Sequence, residues 1–179
     1  MLARNLFAAG IAAFFGVIVL VAIDFQLQPL KKFAFYARIE SVGGTLGKLA
    51  VLTLFAAILY YVVREAFVMA RAQKVKLPVW LEGNIVGFIG WLRLLHPLVG
   101  LLVASLVLLH GYLMWWVWAA GNFGVSVISG MVAGALLTLL LLTGVLIRLM
   151  PKRVSLRVVH RWHGVGFIGA LIVHRVLAG

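Results

Sequence analysis

The chain has 179 residues, 65% hydrophobic and 11% charged, with a mean hydropathy of +1.16. That composition excludes a soluble domain, which needs a polar shell, and points to an all-α integral membrane protein forming a single domain over residues 1–179. The absence of cysteine excludes disulfides, thiolate metal sites, Fe–S clusters and c-type haem attachment within this chain, and the net charge of +12 lies between apolar segments, where it reads as a topology signal facing anionic lipid rather than a nucleic-acid footprint.

Five apolar segments follow in chain order. The first, residues 5–24, starts beyond Arg4 and ends at Asp24. Its near-spanning length and the lack of a small-residue cleavage site before polar sequence predict a retained helix, not a removed leader. The second covers residues 46–63 and is expected to run past Arg64 and Glu65 to about residue 70. The third covers 94–119, the fourth 127–149 with Pro151 as its stop, and the fifth 155–177. A spanning helix needs about 20 residues at about 1.5 Å each, which predicts about five transmembrane helices. No segment has the period-two alternation of a membrane barrel. The stretch 83–91 is apolar, rich in glycine and too short to span, so an interfacial or re-entrant piece is expected there.

The Lys and Arg distribution sets an orientation. An inner N-terminus puts Arg4, the second-linker set (Arg64, Arg71, Lys74, Lys76, Arg93) and the fourth-linker set (Arg148, Lys152, Arg153, Arg157, Arg161) on the inner side. Lys31, Lys32, Arg38, Lys48 and Arg175 fall outside. The bias predicts a multi-pass cell-membrane protein with a cytoplasmic N-terminus and an external C-terminus. Tyr112, Trp115, Trp116 and Trp118 then form an outer aromatic belt.

All five histidines lie in the third and fifth segments. Ionisable groups inside a membrane are costly and suggest function. His96 and His110 are separated by the same interval, fourteen positions, as His160 and His174. That interval returns a helix to within about 40° of its starting direction after about 21 Å of rise, so each pair shares a face. A single zinc or iron site would instead draw its ligands from within a turn.

The two segments are also an internal repeat. Trp91–His110 aligns with Ser155–His174, matching Leu92 with Leu156, Arg93 with Arg157, His96 with His160, Gly100 with Gly164 and His110 with His174. One intervening helix makes the copies parallel, which sets His96 level with His160 and His110 level with His174. Two six-coordinate haems need that arrangement, with one imidazole from each helix on either side of each iron. Gly100 and Gly164 would admit a porphyrin face close to the backbone; Ser105 and Gly169 are small at a second matched position. Arg93 and Arg157 are candidates for haem propionates or for positive-inside anchoring. His163 is eleven positions from His174 and shares its face, so it competes with His160 as a ligand. The repeat favours His160, leaving His163 as a propionate, quinone or interface residue.

The pattern H-x13-H on two helices separated by one antiparallel helix resembles the di-haem cytochrome b superfamily, and most of all the ferric reductase-like transmembrane domain. The resemblance covers roughly residues 46–178. It implies an inner haem b held by His96 and His160 and an outer haem b held by His110 and His174. This chain departs from that family in ending just after His174, where a sixth helix is usual, and in lacking a strand–turn–helix G-x-G-x-x-G for a nicotinamide or flavin domain.

The expected function is therefore transmembrane electron transfer as a subunit of a respiratory or reductase complex, rather than a self-contained enzyme. Electrons would come from and go to separate proteins or a quinol, so a hetero-oligomeric complex in membrane lipid is expected and nucleic acid is not. Quinol-oxidising cytochrome b subunits are the close rival. A non-redox membrane anchor or assembly subunit is the alternative from another class. Metal or solute transport would need broken helices and mid-membrane carboxylates, neither of which the sequence supplies.

Overall fold

The computed structural model describes residues 36–119 and 124–178. The expected first helix at 5–24 lies outside the described residues, as do Lys31 and Lys32. Four helices form the described chain, with no strand among the described residues: α1 (Tyr36–Ala72), α2 (Val79–Ala119), α3 (Val125–Leu149) and α4 (Val154–Ala178). They contain the second to fifth apolar segments. The first three are long and apolar enough to cross a membrane; α4 has 25 residues.

Two boundaries differ from the sequence expectation. At 37 and 41 residues, α1 and α2 measure about 55 and 60 Å, against a hydrocarbon core of about 30 Å. Residues 83–91, expected as an interfacial or re-entrant piece, are the second to fourth turns of α2, continuous with the third apolar segment. Glycines at 83, 87 and 90 lower helix propensity without breaking the helix, and even Pro97 lies inside it.

A short turn explains how the chain reverses between α1 and α2. The Lys74 N–H bonds the Arg71 carbonyl and the Val75 N–H bonds the Ala70 carbonyl, both at 3.0 Å. Lys74 takes the left-handed conformation, φ 56°, that this helix ending requires. Pro78 then opens α2, its carbonyl accepting from the Leu81 and Glu82 N–H groups. Glu82 in the first turn of α2 pairs with Arg71, whose guanidinium also sits 4.8 Å over the Phe67 ring. Between α3 and α4, Arg157 donates to the Pro151 carbonyl at 2.6 Å and closes the short turn.

The helices pack as two antiparallel hairpins, α1 along α2 and α3 along α4, joined where α2 meets α3. Among the described residues, no Cα of α2 comes within 8 Å of a Cα of α4. The two histidine-bearing helices are therefore held apart.

The core lies midway between the histidine levels. Ala50, Val103, Ala133 and Phe167 are all buried, the last two facing each other in one cluster. Val103 lies midway in sequence between His96 and His110, and Phe167 midway between His160 and His174. Half of that interval is nearly two helical turns, so these side chains share the histidines' face. Leu54 of α1 and Val107 of α2 pack on the same cluster, giving a dry apolar layer to which all four helices contribute.

Candidate functional site

The four matched histidines converge in two pairs. The ring centroids of His96 and His160 are 6.5 Å apart and those of His110 and His174 are 6.2 Å apart, with interplanar angles of 81° and 69°. Each pair joins α2 to α4 across the gap between the hairpins. Among the described residues, no three His, Asp or Glu side chains gather as one metal-binding group, so the site consists of couples.

Every one of these four rings is held by the other helix of its own hairpin. Nδ1 of His96 lies 3.0 Å from the Ala57 carbonyl and Nδ1 of His110 lies 2.8 Å from the Gly43 carbonyl, both on α1. Nδ1 of His160 lies 3.1 Å from the Leu140 carbonyl and Nδ1 of His174 lies 3.0 Å from the Ser126 carbonyl, both on α3. A carbonyl only accepts, so Nδ1 is the protonated nitrogen in each ring and donates. In the neutral imidazole the lone pair is then on Nε2. Metal-bound histidines characteristically have this state, with the distal N–H anchored on a carbonyl and the other nitrogen available to the metal.

The acceptors carry the same period as the histidines. The interval from Gly43 to Ala57 equals that from His96 to His110, and the interval from Ser126 to Leu140 equals it again. Each carbonyl already receives the N–H of the residue four positions on, as in any α-helix. A side chain on that residue would stand beside the approaching imidazole. At three of the four sites it is glycine: Gly47 after Gly43, Gly130 after Ser126 and Gly144 after Leu140. A Cβ there would come within 3.1 Å of His110, 3.1 Å of His174 and 3.3 Å of His160, respectively. At the fourth site the residue is Tyr61, and the neighbouring Tyr60 ring packs on His96 at 5.4 Å.

The α3 side has a further element. Ser129 Oγ lies 3.1 Å from His174 Nδ1, and Thr143 Oγ1 lies 3.1 Å from His160 Nδ1. Both hydroxyls donate their own proton to helix carbonyls, Ser129 to Ser126 at 2.8 Å and Thr143 to Leu139 and Leu140 at 2.9 Å. Each hydroxyl oxygen thus accepts from its histidine. Ser129–Gly130 and Thr143–Gly144 were missed among the sequence candidates. The signal was present all the same: two hydroxyl–glycine dipeptides that repeat at the histidine interval.

The remaining sequence candidates divide. Among the described residues, a Cβ on Gly100 would meet nothing within 4 Å, and one on Gly164 would meet only Leu140 Cδ1 at 3.8 Å. Space is open at both, as a flat ligand against the backbone requires. Arg93 is exposed. Arg157 is exposed and its guanidinium is engaged by the Pro151 carbonyl. His163 makes neither ring contact of the two couples, and its buried Nδ1 has no hydrogen-bond partner among the described residues. Arg161, adjacent to His160, reaches 3.5 Å from Glu65 and sits 5.6 Å over the Tyr61 ring. It ties α4 to α1 at the end of the bundle nearer His96 and His160.

No family model, curated protein or solved structure matches this chain. The likeness to di-haem cytochromes b therefore rests on the histidine pattern.

Proposed function

We propose that the chain is a di-haem b-type membrane cytochrome that carries electrons across the bilayer. His96 and His160 hold one haem b, and His110 and His174 hold the other. The observation that supports this best is the spacing of the rings. Two imidazoles that held one metal ion would each contribute a bond of about 2.0 Å, which would put their ring centres roughly 6 Å apart. Within the two couples the ring centroids are 6.5 and 6.2 Å apart. The anchored Nδ1 atoms, the gap between α2 and α4, and the open space at Gly100 and Gly164 fit the same group.

Haem, when bound, supplies a one-electron iron couple. The chain supplies the rest. Four Nε2 atoms are presented in two couples about 21 Å apart along the bundle. Ala50, Val103, Ala133 and Phe167 keep the space between them apolar. Arg93, exposed at the His96–His160 end, is a cation available to a propionate there, whereas Arg157 and Arg161 would have to leave the Pro151 carbonyl and Glu65. In this reading α4 is a fourth membrane-spanning helix, the segment at 5–24 is a fifth, and the His96–His160 couple faces the cytoplasm, as the Lys and Arg bias requires. Partner proteins or a quinol donate and accept the electrons. A quinol-oxidising subunit is the second reading, favoured by the buried Nδ1 of His163, which has no hydrogen-bond partner among the described residues.

Purified protein in vesicles loaded with ferricyanide tests the proposal. An external reductant is expected to reduce the enclosed acceptor only when the protein is present and both couples are intact. A reduced-minus-oxidised spectrum without b-type bands would instead favour a non-redox anchor.

A further inference from the structure

The two rings of each couple are not held alike, and the difference always falls on the same helix. On α2, the Nδ1–H groups of His96 and His110 each have a single carbonyl acceptor among the described residues. On α4, those of His160 and His174 each have a carbonyl and a hydroxyl, from Leu140 and Thr143 and from Ser126 and Ser129. The carbonyls in question already accept the hydroxyl proton as well as a helix N–H, so their lone pairs are shared. The hydroxyl oxygen is a second acceptor for the imidazole N–H. The positions equivalent to Ser129 and Thr143 on α1 are Leu46 and Tyr60, which give no such acceptor to His110 or His96.

We propose that Ser129 and Thr143 are positioning residues that set the reduction potentials of the two sites separately, Ser129 through His174 and Thr143 through His160. This rests on the di-haem reading. An imidazole whose distal N–H is shared with an additional acceptor is the more electron-rich ligand at Nε2. Such a ligand favours the ferric over the ferrous iron and lowers the potential. Each hydroxyl is one residue from the glycine that admits the ring, so one dipeptide both opens the niche and tunes what enters it. The two dipeptides serve different levels of the bundle, which lets either potential be changed without the other.

Redox titration of the full chain, followed by absorbance, tests this. Ser129→Ala is expected to raise one midpoint and leave the other in place, and Thr143→Val to raise the other. Leu46→Ser adds a hydroxyl at the matching place on α1 and is expected to lower the midpoint that Ser129→Ala raises. Ser129→Thr keeps the acceptor and the wild-type value. Midpoints that none of these variants moves would overturn the inference, as would loss of haem from Ser129→Ala, which would make the hydroxyl a structural anchor. A wild-type protein with no haem signal would refute the underlying reading instead, so the two failures are distinguishable.

Discussion

His110 and His174, on α2 and α4, face each other across the gap between the two hairpins with ring centres 6.2 Å apart. The same relationship recurs further along both helices, between His96 and His160 at 6.5 Å. Each couple draws one histidine from each hairpin, so neither hairpin holds a complete couple. Replacing His110 or His174 by Ala is therefore expected to remove one and the same spectral component. Replacing His96 or His160 removes the other. The check is the reduced-minus-oxidised spectrum of each purified variant, resolved into its two components. Four variants losing four different signals, or none, would break the pairing.

His163 competes with His160 on sequence spacing alone, but the ring opposite His96 is that of His160. His163→Ala is expected to keep both haems, whereas His160→Ala loses one. Haem content of the two variants, measured side by side, decides between them. A loss confined to His163→Ala would move the ligand by one turn.

The glycines separate two kinds of space. Gly130 and Gly144 lie under histidine rings, where even a Cβ would crowd the imidazole to 3.1 and 3.3 Å. Gly130→Val should displace His174 and Gly144→Val should displace His160, each weakening retention of one haem roughly ten-fold or more, in line with loss of a group that orients a metal ligand. At Gly100 a Cβ meets no atom of the described residues within 4 Å. Gly100→Phe is thus expected to leave the helix bundle intact by circular dichroism yet block the site between His96 and His160. Full haem content in Gly100→Phe would show that this space is not the one occupied.

The histidine couples were legible in the sequence because a polar residue in an apolar span stands out, and the interval between the histidines of each helix returns to one face. The parallel course of α2 and α4 followed from the single helix between them. Helix lengths were less legible. Lys48, Arg64, Glu65 and Arg71 on α1, and Glu82 and Arg93 on α2, break the hydropathy signal, but charge does not end a helix, and only the turn around Lys74 and Pro78 does so here. The supports of the histidines were hidden for a different reason. Their acceptors are backbone carbonyls of Gly43, Ala57, Ser126 and Leu140, and a carbonyl leaves no mark in the residue type. The glycine one turn later is the visible trace, and it is present at three of the four places.

Phe167 is 2% exposed and fills the layer between the two couples. Phe167→Ala removes a large buried ring and is expected to cost about 3 kcal/mol of stability, the usual scale for emptying a well-packed core position. Because Phe167 lies midway between the two histidine levels, the loss should show as a lower unfolding temperature in detergent with both haem components lowered together. Loss of a single component would mean that the residue serves one site.

Arg161 and Glu65 join α4 to α1 at 3.5 Å and both are partly exposed. A pair of this kind contributes under about 1 kcal/mol, so Glu65→Gln is expected to change the unfolding temperature by no more than a few degrees and to leave haem content alone. A Glu65→Gln protein without its inner haem would give this carboxylate a direct part in the site.

The central claim is that this one chain holds two haems, each between a histidine of α2 and a histidine of α4. Pyridine haemochrome quantitation against protein concentration tests it most directly. Two haem b groups per chain is the expected result; less than one per chain, in protein purified with haem supplied during expression, would contradict it.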